Sequence, residues 1–241
     1  MTQEEKNQII EKFKEWFKSR IIANHRKATI KLVNVKEFNI NPFTLYYLSN
    51  YLEGNSDSTS LAKALLYPRI LGTSITTIWG TGIQQFLTEV MSGYGSSTSG
   101  IDIEFVDQID GRRKYCQLKS GPNALNNDDV TTIDNHFKGI RNLAITNSLD
   151  IGFSDLVFSL VYGEDKEVNS FIKKLQAKNI VVYVGQTFWH RFTGDEHFYF
   201  DLIKAAGEVA NDVDMKNVVG DVIEALSESI EDRFSELYDN E

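Results

Sequence analysis

The chain has 241 residues, of which 41% are hydrophobic, 12% aromatic and 24% charged, so it can bury a sizeable core and a disordered protein is excluded. Its formal net charge of −9 argues against a protein that coats nucleic acid without specificity. Residues 192–241 hold 14 acidic and three basic residues, however, a net charge of −11 that leaves +2 on residues 1–191, so a basic surface there remains open.

The cysteine content, the N-terminal sequence and the hydropathy indicate in which cellular compartment the protein is expected. Cys116 is the single cysteine of the sequence, so an intramolecular disulfide and a zinc site built from several thiolates are both excluded. The N-terminus, MTQEEKNQII, lacks the basic and apolar regions of a secretory signal, which favours the cytoplasm. No run approaches the roughly 18 to 20 apolar residues that a membrane span needs, so no membrane partner is expected.

The first 95 residues are predicted to be mainly helical, because apolar residues recur there at helical spacing among polar ones. The predicted helices cover residues 4–22, 43–52, 58–66 and 80–92.

At Gly100 the pattern changes to an alternation of period two. The segment IDIEFV is followed by the turn-forming pair Asp110-Gly111 and then by KYCQLK, which predicts a β-hairpin. Later strands are apolar on both faces, which implies a sheet with helices on each side. The later elements are a helix at 129–146, a strand at 156–162, a helix at 168–177, a strand at 180–185 and a helix pair over 200–238.

The predicted fold class is α/β, in a single domain over residues 1–241. Its three regions are a mainly helical N-terminal part at 1–95, an α/β core at 96–191 and acidic C-terminal helices at 192–241.

The hairpin carries the residues that point to chemistry. Alternation puts Asp102 and Glu104 on one face of the first strand, and Tyr115, Gln117 and Lys119 on one face of the second. If the two polar faces coincide, a carboxylate and an ammonium converge with an amide between them. This set suits metal-dependent phosphodiester hydrolysis, because a carboxylate can hold Mg²⁺ and a lysine can stabilise the developing charge or orient the attacking water.

The segment SGIDIEFVDQIDGRRKYCQLKSGP resembles the catalytic hairpin of the PD-(D/E)xK nucleases, with Asp102 at the first Asp and Gln117-Leu118-Lys119 at the (D/E)xK motif. The segments LLYPRILGTSITTIWGTGIQQF, HFKGIRNLA and RFTGDEHFYFDLI, and the stretch 35–43, resemble the PmeII-like type II restriction endonucleases over most of the chain. The resemblance implies a restriction-endonuclease-like fold, a central mixed sheet flanked by helices, with Asp102, Gln117 and Lys119 as the catalytic residues.

Gln117 departs from the motif, in which most such nucleases have Asp or Glu. A neutral amide can bind a metal through its carbonyl oxygen but contributes no charge, so a second carboxylate is expected from elsewhere. Glu89, on the helix before the hairpin, is the favoured candidate, and Glu104 is the other. The metal ligands are thus predicted as Asp102 and Gln117 with Glu89 or Glu104, while either glutamate can also be a solvated surface residue.

DNA contacts are predicted in the loop after the hairpin, on the helix that follows it, and near Pro68. Asparagines can read base edges, although clusters of Asn and Asp more often form ordinary turns. Basic helix residues can contact phosphates or form a solvated face. The candidate residues are Arg69, Asn123, Asn126, Asn127, His136, Lys138 and Arg141.

The C-terminal helix has an apolar stripe with two readings. It either caps the sheet or forms a two-fold homodimer interface, and a dimer suits the cutting of both strands of a palindromic site. The stripe consists of Val219, Val222, Ile223, Leu226, Ile230, Phe234 and Leu237.

The principal hypothesis is a Mg²⁺-dependent type II restriction endonuclease that binds double-stranded DNA as a homodimer and hydrolyses one phosphodiester bond in each strand. A structure-selective or repair nuclease of the same fold is the first alternative. A non-catalytic DNA-binding domain is the second, because Gln117 stands where a carboxylate is usual.

Overall fold

The structure, a computed structural model, describes residues 1–91, 95–96, 98–211 and 213–233. Four strands lie in this part of the chain: β1 (Ile103–Val106), β2 (Arg113–Lys119), β3 (Leu156–Leu160) and β4 (Val181–Val184). Its α-helices are α1 (Gln3–Trp16), α2 (Ala23–Ile30), α3 (Pro42–Glu53), α4 (Ser58–Pro68), α5 (Ile75–Glu89), α6 (Asn127–Thr146), α7 (Ser170–Ala177), α8 (Gln186–Thr193), α9 (Phe198–Asn211) and α10 (Met215–Arg233).

The chain divides into two units. The sheet unit comprises residues 1–16 and 80–207, and the helical unit comprises residues 17–79 and the described part of 208–241. The single domain with three regions, expected from composition and pattern, stays a prediction.

The sheet unit is built on one mixed sheet with the strand order β1-β2-β3-β4. β1 and β2 are antiparallel, whereas β2, β3 and β4 run parallel to one another. The predicted hairpin is present, with a turn in which Gly111 adopts a φ of +72°, a conformation that favours glycine. The predicted α/β class with a mixed sheet is confirmed.

Helices cover both faces of the sheet, as the doubly apolar strands predicted. On one face, α6 and α7 pack against β3, which is buried along its whole length. On the other face, Phe105 of β1 lies 5.1 Å from Phe192 of α8, measured between ring centroids. Burial of each such large side chain contributes about 1.5 to 3 kcal/mol. The core of the first face includes Val130, Ile133, Phe137, Ile140, Phe158, Leu160, Ile172 and Leu175.

The start of α6 is fixed by a capping box. The Asn126 side chain accepts hydrogen bonds from the backbone N–H groups of Asp128 and Asp129, and the Asp129 carboxylate accepts one from the backbone N–H of Asn126. The helix therefore begins at Asn127, two residues before the predicted start. This cap places Asp129 in the first turn of α6, close to where the chain leaves β2.

The helical unit buries part of the apolar stripe near the C-terminus in its own core, which corrects the reading of these residues as a dimer interface. Val222, Leu226 and Ile230 of α10 are buried in a core shared with residues of α4 such as Leu61 and Leu66. This part of the stripe is buried inside the unit, so these three residues do not offer a free dimer face. Phe234 and Leu237 lie outside the described residues.

Two local features differ from the predicted elements. The helix predicted over 4–22 ends at Trp16, and residues 17–22 form a wider π-helical segment before α2. The short helix α8 was not predicted, although Gly194, at a φ of +77°, terminates it in the usual way for a glycine. Among the described residues, no helix is long and apolar enough to cross a membrane.

Candidate active site

The hairpin brings three predicted site residues to one face of the sheet. Ile103 is opposite Cys116 in the ladder, and the backbone N–H of Asp102 donates to the carbonyl oxygen of Cys116 at 3.0 Å. Since side chains alternate along a strand, Asp102, Gln117 and Lys119 lie on the face opposite to Cys116. The Cys116 thiol is fully buried on its own face, and burial raises its pKa to about 12, which leaves it unreactive at neutral pH.

These residues line a pocket of about 350 Å³ in the sheet unit. The pocket lies at the carboxyl end of β2, the position at which parallel α/β sheets usually bind ligands. Its walls also include residues of α5 and of the first turns of α6. The lining consists of Gly80, Ile83, Asp102, Gln117, Leu118, Lys119, Ser120, Asp129, Thr132 and Ile133.

Two charged side chains of the pocket are held by the protein itself. The Oδ2 atom of Asp102 accepts a hydrogen bond of 2.7 Å from the backbone N–H of Leu118. The Nζ atom of Lys119 lies 3.3 Å from Oδ1 of Asp129, whose Oδ2 accepts from the backbone N–H of Asn126. The helix cap thereby fixes the acid that pairs with the lysine.

Sequence reasoning did not identify Asp129 as a site residue. The available signal was the spacing Asn126-x-x-Asp129, which indicates a capping box at the start of the helix that follows the catalytic strand. It would have shown that Asp129 lies in the first turn of that helix, but not that its second oxygen contacts Lys119.

Gln117 is held by a residue that was predicted to contact phosphate. Its Nε2 atom lies 3.0 Å from Nδ1 of His136, which projects from the third turn of α6. The other amide atom, Oε1, is buried and has no hydrogen-bond partner within the described part of the chain. A buried carbonyl oxygen without a partner is costly unless a cation, a water molecule or another donor satisfies it.

The two glutamates predicted to supply a second carboxylate lie outside the pocket lining. Glu89 is the exposed last residue of α5. Glu104 shares the polar face of the hairpin, but its Oε1 atom accepts hydrogen bonds of 2.6 Å from Ser96 Oγ and 3.1 Å from Thr98 Oγ1. Its Oε2 atom lies 3.3 Å from a guanidinium nitrogen of Arg113. A metal-binding role for either glutamate stays a prediction, and the acid that the structure brings into the pocket beside Asp102 is Asp129.

A family model described as type II restriction endonuclease EcoO109I matches residues 4–214. The chain belongs to the type II restriction endonuclease EcoO109I family. A search of curated proteins found no significant match. Membership confirms the predicted restriction endonuclease fold and makes the protein a type II site-specific deoxyribonuclease whose substrate is double-stranded DNA.

Restriction endonucleases generally use divalent metal ions, and the donor atoms of the pocket decide whether this family member can hold one. The described residues contain no cluster of three or more His, Cys, Asp and Glu side chains that could hold a metal. Mg²⁺, however, usually keeps several waters and takes only one or two carboxylates together with the phosphates of its substrate. The Asp102 carboxylate and the Oε1 atom of Gln117, which is buried and has no partner among the described residues, are oxygen donors of this kind in one pocket, so the residues fit the ion.

Most of the predicted DNA contacts of this nuclease already have partners within the protein. Asn126 caps α6, and the Oδ1 atom of Asn127 accepts a hydrogen bond from Lys174. Lys138 is exposed and pairs with Asp134, with 2.9 Å between Nζ and Oδ2.

The surroundings of the other predicted DNA contacts differ from one residue to the next. The guanidinium of Arg141 lies over the ring of Phe153, 4.4 Å from the centroid. Asn123 is exposed in the loop before α6, and Arg69 is exposed in the helical unit. His136 contacts Gln117 rather than standing alone on the helix surface. DNA contact by any of these residues stays a prediction.

Proposed function

We propose that this type II restriction endonuclease is Mg²⁺-dependent and uses a D…QxK variant of the PD-(D/E)xK site formed by Asp102, Gln117 and Lys119. The observation that carries the proposal is the convergence of these three side chains in one pocket of a chain that belongs to a restriction endonuclease family.

Asp102 and Gln117 would hold the metal, which polarises the scissile phosphate and lowers the pKa of a bound water. The hydrogen bond from the Leu118 N–H keeps the Asp102 carboxylate beside the strand. Lys119 places an ammonium group in the same pocket, where it stabilises the negative charge that develops on the phosphate and orients the attacking water. Gln117 is neutral, so the charge that balances the metal would come from Asp102, from the phosphate and from a second carboxylate.

Asp129 adds a carboxylate to this set. With Oδ1 at 3.3 Å from Lys119 Nζ, it acts as a positioning residue for the ammonium, while the helix cap restrains its other oxygen. Glu89 and Glu104 are retained as proposed suppliers of a second metal-binding carboxylate, although other contacts hold Glu104.

The proposal includes a cytoplasmic homodimer and the predicted DNA contacts. Cleavage of both strands at a palindromic site requires two active sites that follow the two-fold axis of the DNA. Since α10 buries Val222, Leu226 and Ile230 in the helical unit, these residues do not form the dimer interface.

The test is digestion of a large unmethylated DNA of known sequence by the purified protein, with and without Mg²⁺. We expect discrete fragments that appear only with the metal. Asp102→Ala and Lys119→Ala should each abolish cleavage and leave DNA binding and the fold largely intact. Near-normal cleavage by either variant would refute the assignment.

The same digestion distinguishes the alternatives. Cutting of branched or damaged DNA without discrete bands would indicate a structure-selective or repair nuclease. Salt-sensitive DNA binding without metal-dependent cleavage would indicate a non-catalytic DNA-binding domain, which the neutral Gln117 favours as the second candidate.

A further inference from the structure

The contact between Gln117 and His136 has a defined direction. The atom of Gln117 nearest the imidazole is Nε2, at 3.0 Å from Nδ1 of His136. An amide nitrogen carries two donors and no acceptor, so Nδ1 must accept the hydrogen bond. The ring proton then lies on Nε2.

The backbone that leads into β1 confines the imidazole ring. Gly100 has a φ of +79°, and a Cβ atom added there would lie 2.5 Å from both Cγ and Nδ1 of His136. Only a glycine allows the chain to pass so close to the ring. The segment that delivers Asp102 to the pocket therefore also packs on His136, which contacts Gln117.

The Gln117 amide atom that His136 does not contact is Oε1, and this is the amide atom that can bind a cation. The Oε1 atom of Gln117 is buried and has no hydrogen-bond partner among the described residues, and Gln117 lines the pocket beside Asp102. Rotation of the amide by half a turn would exchange its two ends. An N–H₂ group would then replace the oxygen, and this group cannot bind a metal.

We propose that His136 is a positioning residue that holds the Gln117 amide with its carbonyl oxygen toward the pocket, as a ligand for a divalent cation. This inference rests on the proposed function, because it concerns the metal ligand of the same site. A carboxylate presents an oxygen in either orientation, whereas an amide does so in only one. A QxK site therefore needs an orienting partner that a (D/E)xK site does not, and hydrogen-bonded partners of this kind commonly fix metal ligands.

The first test measures Mn²⁺ binding by the intact protein without DNA, from the electron paramagnetic resonance signal of free Mn²⁺. His136→Phe keeps a ring of similar size but removes the acceptor, and we expect Mn²⁺ affinity to fall at least about tenfold. His136→Asn can place Oδ1 close to the position of Nδ1, so it should retain most of the affinity. The circular dichroism spectrum and the urea midpoint of each variant check its fold.

The matched control repeats His136→Phe in a Gln117→Glu background. Because either oxygen of the glutamate can face the pocket, the loss of Mn²⁺ affinity should there be small. Unchanged affinity in His136→Phe, or an equal loss in both backgrounds, would overturn the inference. No Mn²⁺ binding by the unmodified protein, with or without double-stranded DNA, would instead contradict the proposed metal-dependent function, so the two failures are distinguishable.

The second test needs no variant and is decisive if His136→Phe fails to fold. The ¹⁵N chemical shifts of the His136 ring in the unmodified protein, at mildly alkaline pH, report which nitrogen carries the proton. We expect protonation at Nε2 with an unprotonated Nδ1. Protonation at Nδ1 would mean that the imidazole donates to the amide oxygen, and this would overturn the inference.

Discussion

At the scale of single residues, the pocket holds its charged groups through hydrogen bonds to the backbone of the catalytic strand and of the following helix. Asp102 accepts from the Leu118 N–H, and Asp129 accepts from the Asn126 N–H while its other oxygen contacts Lys119. A lysine in a catalytic site must be placed to within a fraction of an ångström to act on the transition state. In the proposed mechanism, the helix cap therefore contributes to catalysis through the position of one ammonium group.

Asp129→Asn tests this role. The asparagine keeps an oxygen that can accept from the Asn126 N–H, so the free energy of unfolding should change by less than about 1 kcal/mol. It removes the negative charge that holds Lys119, and we expect kcat to fall by about tenfold to a hundredfold. The KM for DNA should stay the same or decrease, because a negative charge near the phosphates is lost.

Asp128→Asn is the matched control, since it removes the same charge from an exposed neighbour in the first turn of the same helix. Steady-state kinetics on a duplex with the recognition site measures both variants. An equal fall in kcat for the two variants would show that the effect comes from the charge at the helix end and not from the contact with Lys119.

The predicted phosphate contact of Lys138 has an equally close control. Lys138 and Lys178 both pair with the Oδ2 atom of Asp134, at 2.9 Å and 2.7 Å, so removal of either leaves the carboxylate with a partner. In an Asp102→Ala background, Lys138→Ala should reduce the slope of log Kobs against log salt concentration by about 0.9, the value for one phosphate contact. Lys178→Ala should leave it unchanged, and an unchanged slope in both variants would exclude Lys138 from the DNA interface.

The candidate site shows how far single residues can be interpreted from sequence. Strand alternation was enough to place Asp102, Gln117 and Lys119 on one face, because the hairpin is local. The partners of these residues come from α6, after a loop whose path depends on packing, so Asp129 was missed and His136 was predicted as a phosphate contact.

At the scale of elements, a network of charges holds the turn end of the hairpin. The Lys114 side chain is fully buried, and its Nζ atom lies 2.7 Å from Asp110 Oδ2 and 3.4 Å from Asp155 Oδ1. Arg112 donates to both carboxylate oxygens of Asp155, from Nε at 2.8 Å and from a terminal nitrogen at 2.5 Å. This network joins the β1–β2 turn to the segment that begins β3, so it fixes the hairpin that carries the site.

Asp155→Asn should weaken this network. The hydrogen bonds from Arg112 lower the pKa of Asp155 from 3.8 to about 2. Because the folded pKa is below the unfolded one, the stabilisation is fully present above pH 3.8 and is lost as pH falls toward 2. The shift corresponds to about 2 kcal/mol, and the buried Lys114 loses one of its two carboxylate partners, so we expect about 2 to 3 kcal/mol of destabilisation at neutral pH.

Urea unfolding as a function of pH measures the effect of Asp155→Asn. The stability of the variant should decline less steeply than that of the unmodified protein as the solution is acidified. Asp150→Asn is the control, because Asp150 contacts the same Arg112 at 3.4 Å but has a side chain that is 92% exposed. Its effect should be below about 1 kcal/mol, and similar losses for the two variants would contradict the role of burial.

The elements themselves were predicted where local signals decide the structure. The alternation and the Asp110-Gly111 turn specified the hairpin, and the helical spacing specified α3, α4 and α6. The break after Trp16 and the π-helical turns at 17–22 depend on packing within each unit. The spacing of apolar residues along the sequence does not indicate that packing. The apolar stripe of α10 correctly indicated a buried face but not what buries it.

At the scale of the whole molecule, family membership and charge distribution bear on how the enzyme approaches and binds DNA. Residues 192–241 carry a net charge of −11, and the remainder of the chain carries +2. Long-range repulsion should keep the acidic end away from phosphates and leave the rest of the surface to approach the duplex. The described part of the chain holds one copy of the proposed D…QxK pocket, whereas double-strand cleavage acts on two phosphates of opposite strands, so a second copy of the protein is expected to supply the second pocket.

A mixed dimer tests this expectation. Unmodified protein and Asp102→Ala protein are produced together with different affinity tags, and dimers that carry both tags are isolated in two steps. Each such dimer should have one active pocket, so it should cut one strand at each site and convert supercoiled plasmid mainly to nicked circles rather than to linear DNA. Unmodified dimers treated in the same way are the control and should give linear DNA. If the second affinity step recovers no protein, or if mixed dimers still linearise the plasmid in one binding event, then each copy acts alone and the dimer proposal is wrong.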